Sequence, residues 1–220
     1  IVGTFHQPRL VVADVATLAR MGLEELRNSF AEIIKYGIIR DRELFRLLEQ
    51  NVDWFFKSAA RKPLGNKELS FLETVVFRSA RVKAKIVAED ERETKGKRMI
   101  LNYGHTFAHA FEAVSRYRLP HGEAVALGMI SAGRLARRIG IFRSEDERRQ
   151  NRLIAKAGLP TRVNGTRFKP GRLMRHMMLD KKKRGGWLRF VLPEAIGKVK
   201  VVDRVGLALV RRVLSELEEE

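Results

Sequence analysis

Residues 102–129 read NYGHTFAHAFEAVSRYRLPHGEAVALGM, and this stretch predicts two helices joined by a short connection. The first helix is expected from Asn102 to about Val114, because its apolar residues recur at helical spacing. Pro120 interrupts that pattern, and a second helix is expected to start near His121. Small residues recur along the second helix, which indicates close contact with neighbouring helices. The stretch therefore predicts a closely packed helical core.

Apolar residues also recur at helical spacing in most of the remaining chain. Further helices are expected over residues 23–34, 41–60, 69–86, 144–158, 171–180 and from 206 to the acidic tail. Ser144 and Glu147 have the spacing of a capping box at the start of one of them. Two regions differ: residues 10–13 are typical of a strand, and residues 187–192 and 198–202 predict a short β-hairpin. The expected fold class is therefore mainly α, with a front β-strand and one hairpin.

Composition limits the class of protein. The chain has 220 residues, 45% of them hydrophobic, which is enough for a sizeable core and suggests one or two domains. It contains no cysteine, so disulfides and thiolate metal sites are excluded, and any metal must bind to His, Asp or Glu. No apolar run approaches the roughly 20 residues of a membrane span.

The formal net charge of +18 predicts an anionic partner. Nucleic acid, phosphorylated small molecules and anionic membranes all meet that condition. The basic residues are spread along the chain and do not alternate with aromatic residues, as they would on a surface that stacks nucleic-acid bases. Charge alone therefore leaves a basic helical module that binds nucleic acid as a rival hypothesis from a different class.

The histidines between residues 105 and 121 suggest a metal or catalytic site. His105 and His109 are one helical turn apart, so their imidazoles share a face and could converge on one ion or one substrate. No Glu follows His105, so this is not the HExxH pattern. His121 offers a third imidazole from a separate element, and a carboxylate from elsewhere would complete a site for Zn²⁺ or a related divalent ion. Spacing alone does not identify that carboxylate.

The residues before His105 predict an anion site beside the metal. Gly104 allows close approach of the backbone. Asn102, Tyr103 and Gly104 lead into a helix whose N-terminal amides could meet an anion. The basic residues that could reach this anion in a folded domain are Lys83, Lys85, Arg98 and the run that starts at Lys181.

Several motifs resemble the 3-dehydroquinate synthase family, in the same order along the chain. Residues 102–112 resemble its N-x-G-H-T-x-x-H-A-x-E segment, and residues 119–129 resemble its HGEAVAxGM segment. The other similar segments are residues 3–8 (GxFxQP), 30–37 (AEVIKYG), 180–183 (DKK) and 188–193 (LRFVLP).

The resemblance implies that the chain is the helical C-terminal part of such a synthase. In that family an N-terminal Rossmann-like domain binds NAD, and no GxGxxG-like loop occurs in this sequence. The NAD domain is therefore expected to be missing from this chain, which would be inactive alone. Residues 1–20 would supply a strand and connection from that domain, and residues 21–220 the metal- and substrate-binding domain. The resemblance also implies a cytoplasmic homodimer with no nucleic-acid or membrane partner.

The resemblance assigns roles to individual residues. The metal ligands would be Glu32, His105 and His121, with Zn²⁺ as the ion and Co²⁺ as an alternative. The residues expected to contact substrate or assist catalysis are His109 and Asn102 near the phosphate, Lys83 and Arg98 near the carboxylate, Lys35 near a hydroxyl, and Lys181, preferred over Lys182, on the phosphate.

The implied activity is that of a carbon–oxygen lyase in the shikimate pathway of aromatic amino acid biosynthesis. Its substrate would be 3-deoxy-arabino-heptulosonate 7-phosphate, converted to 3-dehydroquinate and phosphate by NAD-dependent oxidation, β-elimination, reduction and an intramolecular aldol step. Two related activities stay open: another sugar phosphate cyclase, of the inosose or valiolone synthase type, and a metal-dependent polyol dehydrogenase. His109 argues against the valiolone type, and the HGEAVA and DKK segments favour the synthase over the dehydrogenase.

Overall fold

The computed structural model describes residues 8–61, 63–163, 168–183 and 188–218, and describes residues 180–183 by their backbone only. The helices are α1 (Leu23–Ile39), α2 (Arg42–Ala59), α3 (Asn66–Glu89), α4 (His105–Val114), α5 (His121–Arg138), α6 (Ser144–Lys156), α7 (Pro170–Lys183) and α8 (Leu207–Ser215). The strands are β1 (Arg189–Ala195) and β2 (Lys198–Asp203), and two 3-10 helices cover Val15–Arg20 and Lys97–Asn102. None of the helices in the described ranges combines the length and the hydropathy that a membrane span requires. The mainly α fold class is confirmed.

Helix α5 is the centre of the fold, because it is buried along almost its whole length. It packs against α1, α4, α6, α8 and β1. Two of its glycines allow contacts that a side chain would block. A Cβ on Gly122 would lie 2.1 Å from the carbonyl oxygen of Asn28, and a Cβ on Gly128 would lie 2.2 Å from that of Gly104. The backbones of α1 and of the start of α4 therefore approach α5 closely, as the small residues of α5 predict.

A cluster of phenylalanines holds α1 against α2 and α3. The ring centroids of Phe30 and Phe56 are 4.8 Å apart, and those of Phe55 and Phe71 are 5.1 Å apart. All four side chains are buried, and aromatic pairs of this kind add to the free energy of apolar burial. The cluster fixes the position of α1, which carries Glu32.

The predicted hairpin is confirmed, and the predicted front strand is not. Strands β1 and β2 pair antiparallel from Arg189 opposite Asp203 to Ala195 opposite Lys198. Residues 10–13 have no regular secondary structure, and the side chains of Leu10, Val11 and Val12 are 78%, 73% and 80% exposed. A strand needs a neighbour that satisfies its backbone hydrogen bonds, and in the described part of the chain β1 and β2 pair only with each other. The domain division expected at residue 20 remains a prediction.

Candidate metal centre

The three predicted metal ligands come from three helices and meet at one point. Glu32 lies on α1, His105 is the first residue of α4, and His121 is the first residue of α5. The Nε2 atom of His105 lies 3.5 Å from Oε1 of Glu32, and Nε2 of His121 lies 3.6 Å from the same oxygen. One ligand atom from each residue lies within 4.8 Å of the other two. The fold therefore gathers two imidazoles and one carboxylate that are distant in the sequence.

This donor set fits zinc or a related divalent cation. Tetrahedral zinc, with bonds of about 2.0–2.2 Å to nitrogen and oxygen, places two of its ligand atoms about 3.4 Å apart, close to the separations found here. The Oε1 atom of Glu32 is buried and has no hydrogen-bond partner. A buried acceptor without a partner costs about 1–3 kcal/mol, and more when it is charged. A cation bound between Glu32, His105 and His121 would remove that cost.

Hydrogen bonds select the tautomer of both histidines. Nδ1 of His105 lies 3.1 Å from the carbonyl oxygen of Tyr103, and Nδ1 of His121 lies 2.8 Å from Oε1 of Glu112. A carbonyl and a carboxylate only accept, so each Nδ1 carries the proton and each Nε2 keeps its lone pair. Burial lowers the pKa of His105, and the charge of Lys35 lowers it further. The neutral imidazole that a metal requires is therefore favoured.

The backbone around Gly104 places His105 at the start of α4. The sequence predicts a helix from Asn102, but Lys97–Asn102 forms a 3-10 helix instead. Gly104 has φ +79°, in the left-handed region that favours glycine, and this interrupts the helical backbone. A Cβ on Gly104 would also lie 3.0 Å from the backbone nitrogen of Met129 on α5. Both constraints explain why glycine precedes the metal-facing histidine.

Asn28 places His121 at the start of α5. Its side-chain Oδ1 accepts a hydrogen bond of 3.1 Å from the backbone nitrogen of Glu123, in the first turn of α5. The first turn of a helix has free N–H groups, and a side-chain oxygen that accepts from one of them stabilises the helix end. Asn28 is one turn before Glu32 on α1, so the same face of α1 caps α5 and supplies the carboxylate.

Lys35 brings a buried positive charge to the centre. Its Nζ lies 2.5 Å from Oε2 of Glu32, and only 4% of the residue is exposed. Burial lowers the pKa of Lys35, the adjacent Glu32 acts in the opposite direction, and the charge of Lys83 lowers it further. The carboxylate of Glu32 therefore faces the histidines with one oxygen and the ammonium with the other.

The other predicted substrate residues differ in how closely they approach this cluster. His109 is exposed, and its ring centroid lies 5.7 Å from that of His105. Lys83 is also exposed, and its charge acts on Lys35. Both side chains are therefore solvent-accessible and act on a residue of the cluster or its immediate neighbour.

Among the described side chains, those of Arg98 and Asn102 show no hydrogen bond or ion pair to the cluster. Nη1 of Arg98 lies 3.4 Å from the carbonyl oxygen of Glu91 and 3.9 Å from Oε2 of Glu93, while its Nε is buried without a partner. Asn102 is exposed at the end of its 3-10 helix. Lys181 lies in α7, and its side chain is outside the described part of the chain. Their roles remain predictions.

Sequence reasoning missed four residues that support the ligands: Asn28, Tyr103, Glu112 and Gln150, whose side-chain oxygen accepts from the hydroxyl of Tyr103 at 2.6 Å. For Glu112 a signal exists, since positions 105, 109 and 112 follow the i, i+4, i+7 spacing of one helical face. For Asn28 and Gln150 the contact is made between separate elements of the fold, and no spacing within the sequence indicates it. Tyr103 supports His105 through its backbone carbonyl, a contact that depends on the local backbone path and not on the residue type.

The chain is similar in sequence to proteins of one known family. The family model described as 3-dehydroquinate synthase C-terminal matches residues 29–183. A 3-dehydroquinate synthase from Synechococcus sp. is 43% identical over 218 residues, which cover 99% of this chain and 57% of that protein. One from Nostoc punctiforme is 44% identical over 216 residues, covering 97% of this chain and 57% of that protein. The chain thus spans a little over half the length of these curated relatives.

Solved structures share the fold. A 2-epi-5-epi-valiolone synthase from Streptomyces hygroscopicus, with NAD⁺ and Zn²⁺ bound, superposes with a TM-score of 0.83 at 26% identity, covering 98% of this chain and 57% of that one. A 2-deoxy-scyllo-inosose synthase, complexed with carbaglucose-6-phosphate, NAD⁺ and Co²⁺, gives a TM-score of 0.77 at 24% identity, covering 98% and 58%.

Proposed function

The chain belongs to the 3-dehydroquinate synthase C-terminal family, and on that premise we propose that it forms the metal- and substrate-binding part of a 3-dehydroquinate synthase. The whole enzyme would convert 3-deoxy-arabino-heptulosonate 7-phosphate to 3-dehydroquinate and phosphate, as a lyase that uses NAD and a divalent metal. The observation that carries the proposal is the cluster of Glu32, His105 and His121 around a buried, unpartnered oxygen. Relatives that carry this activity at more than 40% identity over almost the whole chain support it.

The metal would be Zn²⁺, with Co²⁺ as an alternative, held by Glu32 and the Nε2 atoms of His105 and His121. When bound, such a cation polarises a substrate hydroxyl oxygen and stabilises negative charge on it. The solved valiolone synthase with NAD⁺ and Zn²⁺ supports both cofactors. The NAD contacts would lie outside the residues described here.

The protein's own side chains would bind and orient a substrate with two anionic groups. Lys35, held beside Glu32, can donate a hydrogen bond to a substrate hydroxyl next to the metal. The exposed imidazole of His109 can donate to a phosphate oxygen, together with Asn102 and Lys181. Lys83 and Arg98 would bind the carboxylate. Holding both ends of a flexible sugar acid fixes one conformer of it, which lowers the entropic part of the barrier.

The assembly and location are also part of the proposal. We expect a homodimer in the cytoplasm, in which residues 21–220 form the helical body and an NAD-binding domain accompanies it. The residues of α1, α4 and α5 would face that domain from the side where His109 and Lys83 are exposed.

A second sugar phosphate cyclase activity is the alternative that a specific observation favours, because the valiolone and inosose synthases share the fold. The identity to the valiolone synthase is 26%, against 43% to the synthase from Synechococcus sp.. His109, with Lys83 and Arg98 as the proposed partners of the carboxylate, favours the sugar acid over a sugar phosphate that lacks a carboxylate.

The first test is metal content. We expect the purified chain to bind one equivalent of Zn²⁺ and the His105→Ala variant to bind none, because zinc sites need at least three protein ligands and the variant keeps only two. Elemental analysis after dialysis against a weak chelator measures the zinc content. Lys85→Ala is the control, because it replaces an exposed basic residue and leaves all three metal ligands in place. Full zinc retention in His105→Ala would refute the ligand assignment.

The second test is substrate class. The zinc-loaded chain should bind 3-deoxy-arabino-heptulosonate 7-phosphate more tightly, by calorimetry, than its dephosphorylated form or a seven-carbon sugar phosphate without the carboxylate. Lys83→Ala should reduce the difference in affinity between the substrate and the sugar phosphate that lacks the carboxylate. Equal affinity for all three ligands would contradict the proposal.

A further inference from the structure

His121 is the least supported of the three clustered ligands. Its side chain is 54% exposed, compared with 14% for His105 and 31% for Glu32. It stands at the first position of α5, where no preceding helical turn restricts its ring. Packing alone therefore does not fix the direction of its Nε2 lone pair, and another contact must do so.

Glu112 on α4 provides that contact. Its Oε1 lies 2.8 Å from Nδ1 of His121, and the side chain is only 14% exposed. A carboxylate that accepts from one imidazole nitrogen leaves the other nitrogen free to bind a metal and makes it more basic. The contact spans two helices, since Glu112 and His105 share α4 while His121 belongs to α5.

The connection between α4 and α5 is built around Glu112. The backbone carbonyl of Glu112 accepts hydrogen bonds from the nitrogen of Tyr117 at 2.8 Å and from the hydroxyl of Ser115 at 2.8 Å. The same hydroxyl accepts from the backbone nitrogen of Leu119 at 3.2 Å. The backbone of Glu112 thus anchors the turn that delivers His121, while its carboxylate holds the imidazole ring.

We propose that Glu112 is a positioning residue that fixes the tautomer and the ring direction of His121 and thereby sets the affinity of the metal centre. The inference rests on the proposed metal centre and goes beyond its ligands. Glu112 would support the metal without binding it, because its oxygen contacts Nδ1 of His121, while Nε2 of the same ring faces Glu32.

The test compares zinc affinity with the stability of the metal-free protein. Glu112→Ala should weaken zinc binding about 10- to 100-fold in a chelator competition, the usual effect of losing such a partner, while the thermal midpoint in excess chelator stays close to that of the parent. Glu112→Gln should lose less affinity, because the amide oxygen can still accept from Nδ1. Glu123→Ala, which removes a carboxylate from the first turn of α5 without a contact to His121, should leave the affinity unchanged.

The tautomer gives a second readout that does not depend on metal or activity. In the metal-free parent at alkaline pH, the ¹⁵N shifts of His121 should show the proton on Nδ1, and in Glu112→Ala the proton should move towards Nε2. An unchanged affinity in Glu112→Ala, or a parent with the proton on Nε2, overturns the proposal. A fall in affinity matched by an equal fall in metal-free stability also overturns it, since a purely structural role produces that result.

The two proposals fail in distinguishable ways. If His105→Ala abolishes zinc binding and Glu112→Ala has no effect, the metal centre stands and the role of Glu112 is wrong. If the parent and His105→Ala bind zinc equally weakly, the metal centre is wrong, and the role of Glu112 with it.

Discussion

Tyr103 links the metal ligand His105 to the interior of the protein. Its backbone carbonyl accepts from Nδ1 of His105, and its hydroxyl donates to Oε1 of Gln150 at 2.6 Å. The amide of Gln150 donates in turn to the carbonyl oxygen of Met129 at 2.9 Å. Burial raises the pKa of Tyr103, which favours the protonated phenol that donates to Gln150. The buried hydrogen bonds therefore hold the residue that orients the imidazole.

Replacing Gln150 tests how much this support contributes. Gln150→Leu removes the acceptor of the buried phenol and the donor to Met129, so we expect the free energy of unfolding to fall by about 1–3 kcal/mol. Urea unfolding monitored by circular dichroism measures the change. Tyr103→Phe in the same background should restore part of the loss, because it removes a hydroxyl left with only its longer contact, of 3.3 Å, to the carbonyl oxygen of Met129. Tyr117→Phe, at an exposed position, is the control and should change stability little.

Sequence patterns identify residues that share one helix better than residues that meet between helices. The spacing of His105 and His109 follows from the helical period, and the structure places their rings together. The contact from Asn28 to the start of α5 depends on how two helices cross. That crossing is set by side-chain packing along both helices, which no local spacing reports. Glu32 was identified through family resemblance rather than through spacing.

The crossing of α1 and α5 brings Glu32 and His121 together. Gly122 lies at the crossing, where its missing side chain lets the backbone of Asn28 approach. The hydrogen bond from the nitrogen of Glu123 to Oδ1 of Asn28 joins the two helices at the same place. The distance between the carboxylate on α1 and the imidazole on α5 therefore depends on the close approach that Gly122 allows.

Gly122→Ala should separate the two helices. The added Cβ would lie 2.1 Å from a backbone oxygen, which has no flexible end that could move aside. We expect a loss of about 1–3 kcal/mol in the free energy of unfolding, typical of overpacking, and at least a tenfold loss of zinc affinity. Chemical unfolding and chelator competition measure these. Gly171→Ala is the matched control, because a Cβ there meets nothing within 4 Å. Unchanged zinc affinity in Gly122→Ala would mean that the crossing does not set the ligand geometry.

Helix positions could be predicted from the sequence, and helix ends less well. The apolar period locates α1 to α8 closely, but Ser144 is the first residue of α6 rather than its cap, which is Arg143. Glu147 pairs with Arg137 on α5 instead of closing a capping box. The capping box predicted for α6 is therefore wrong, because a tertiary ion pair competes for the carboxylate. Residues 10–13 form no strand in the described chain for a related reason, since their pattern is local, whereas a strand is stabilised by a pairing partner, which the resemblance places in the N-terminal domain.

The positive charge of the whole molecule is only partly explained by the proposed substrate. Several arginines join helices through ion pairs, such as Arg149 with Glu49 at 2.6 Å and Arg40 with Glu89 at 2.7 Å. A few bases, Lys35 and Lys83 among them, would face the anionic substrate. The net charge of +18 raises the local concentration of anions in general. It predicts that the partner is anionic and does not specify which anion.

Zinc should stabilise the whole fold, because its three ligands lie on α1, α4 and α5, the helices at the centre of the molecule. A ligand that binds only the folded state at 100 times its dissociation constant adds about 2.7 kcal/mol. For a chain of this size each kcal/mol raises the thermal midpoint by about 2–4 °C, so we expect a rise of about 5–10 °C. Thermal unfolding followed by circular dichroism, in zinc and in excess chelator, measures it.

The controls for zinc stabilisation separate binding at the cluster from binding elsewhere. His105→Ala should lose the rise in thermal midpoint, because the cluster then lacks a ligand. Lys83→Ala should keep it, since Lys83 is exposed and contributes charge rather than a metal bond. Mg²⁺, which prefers oxygen ligands in octahedral geometry, should produce little change at a site with two imidazoles. If zinc raised the thermal midpoint of the parent and of His105→Ala equally, the zinc would bind elsewhere on the surface. That result would contradict stabilisation through the ligands on α1, α4 and α5.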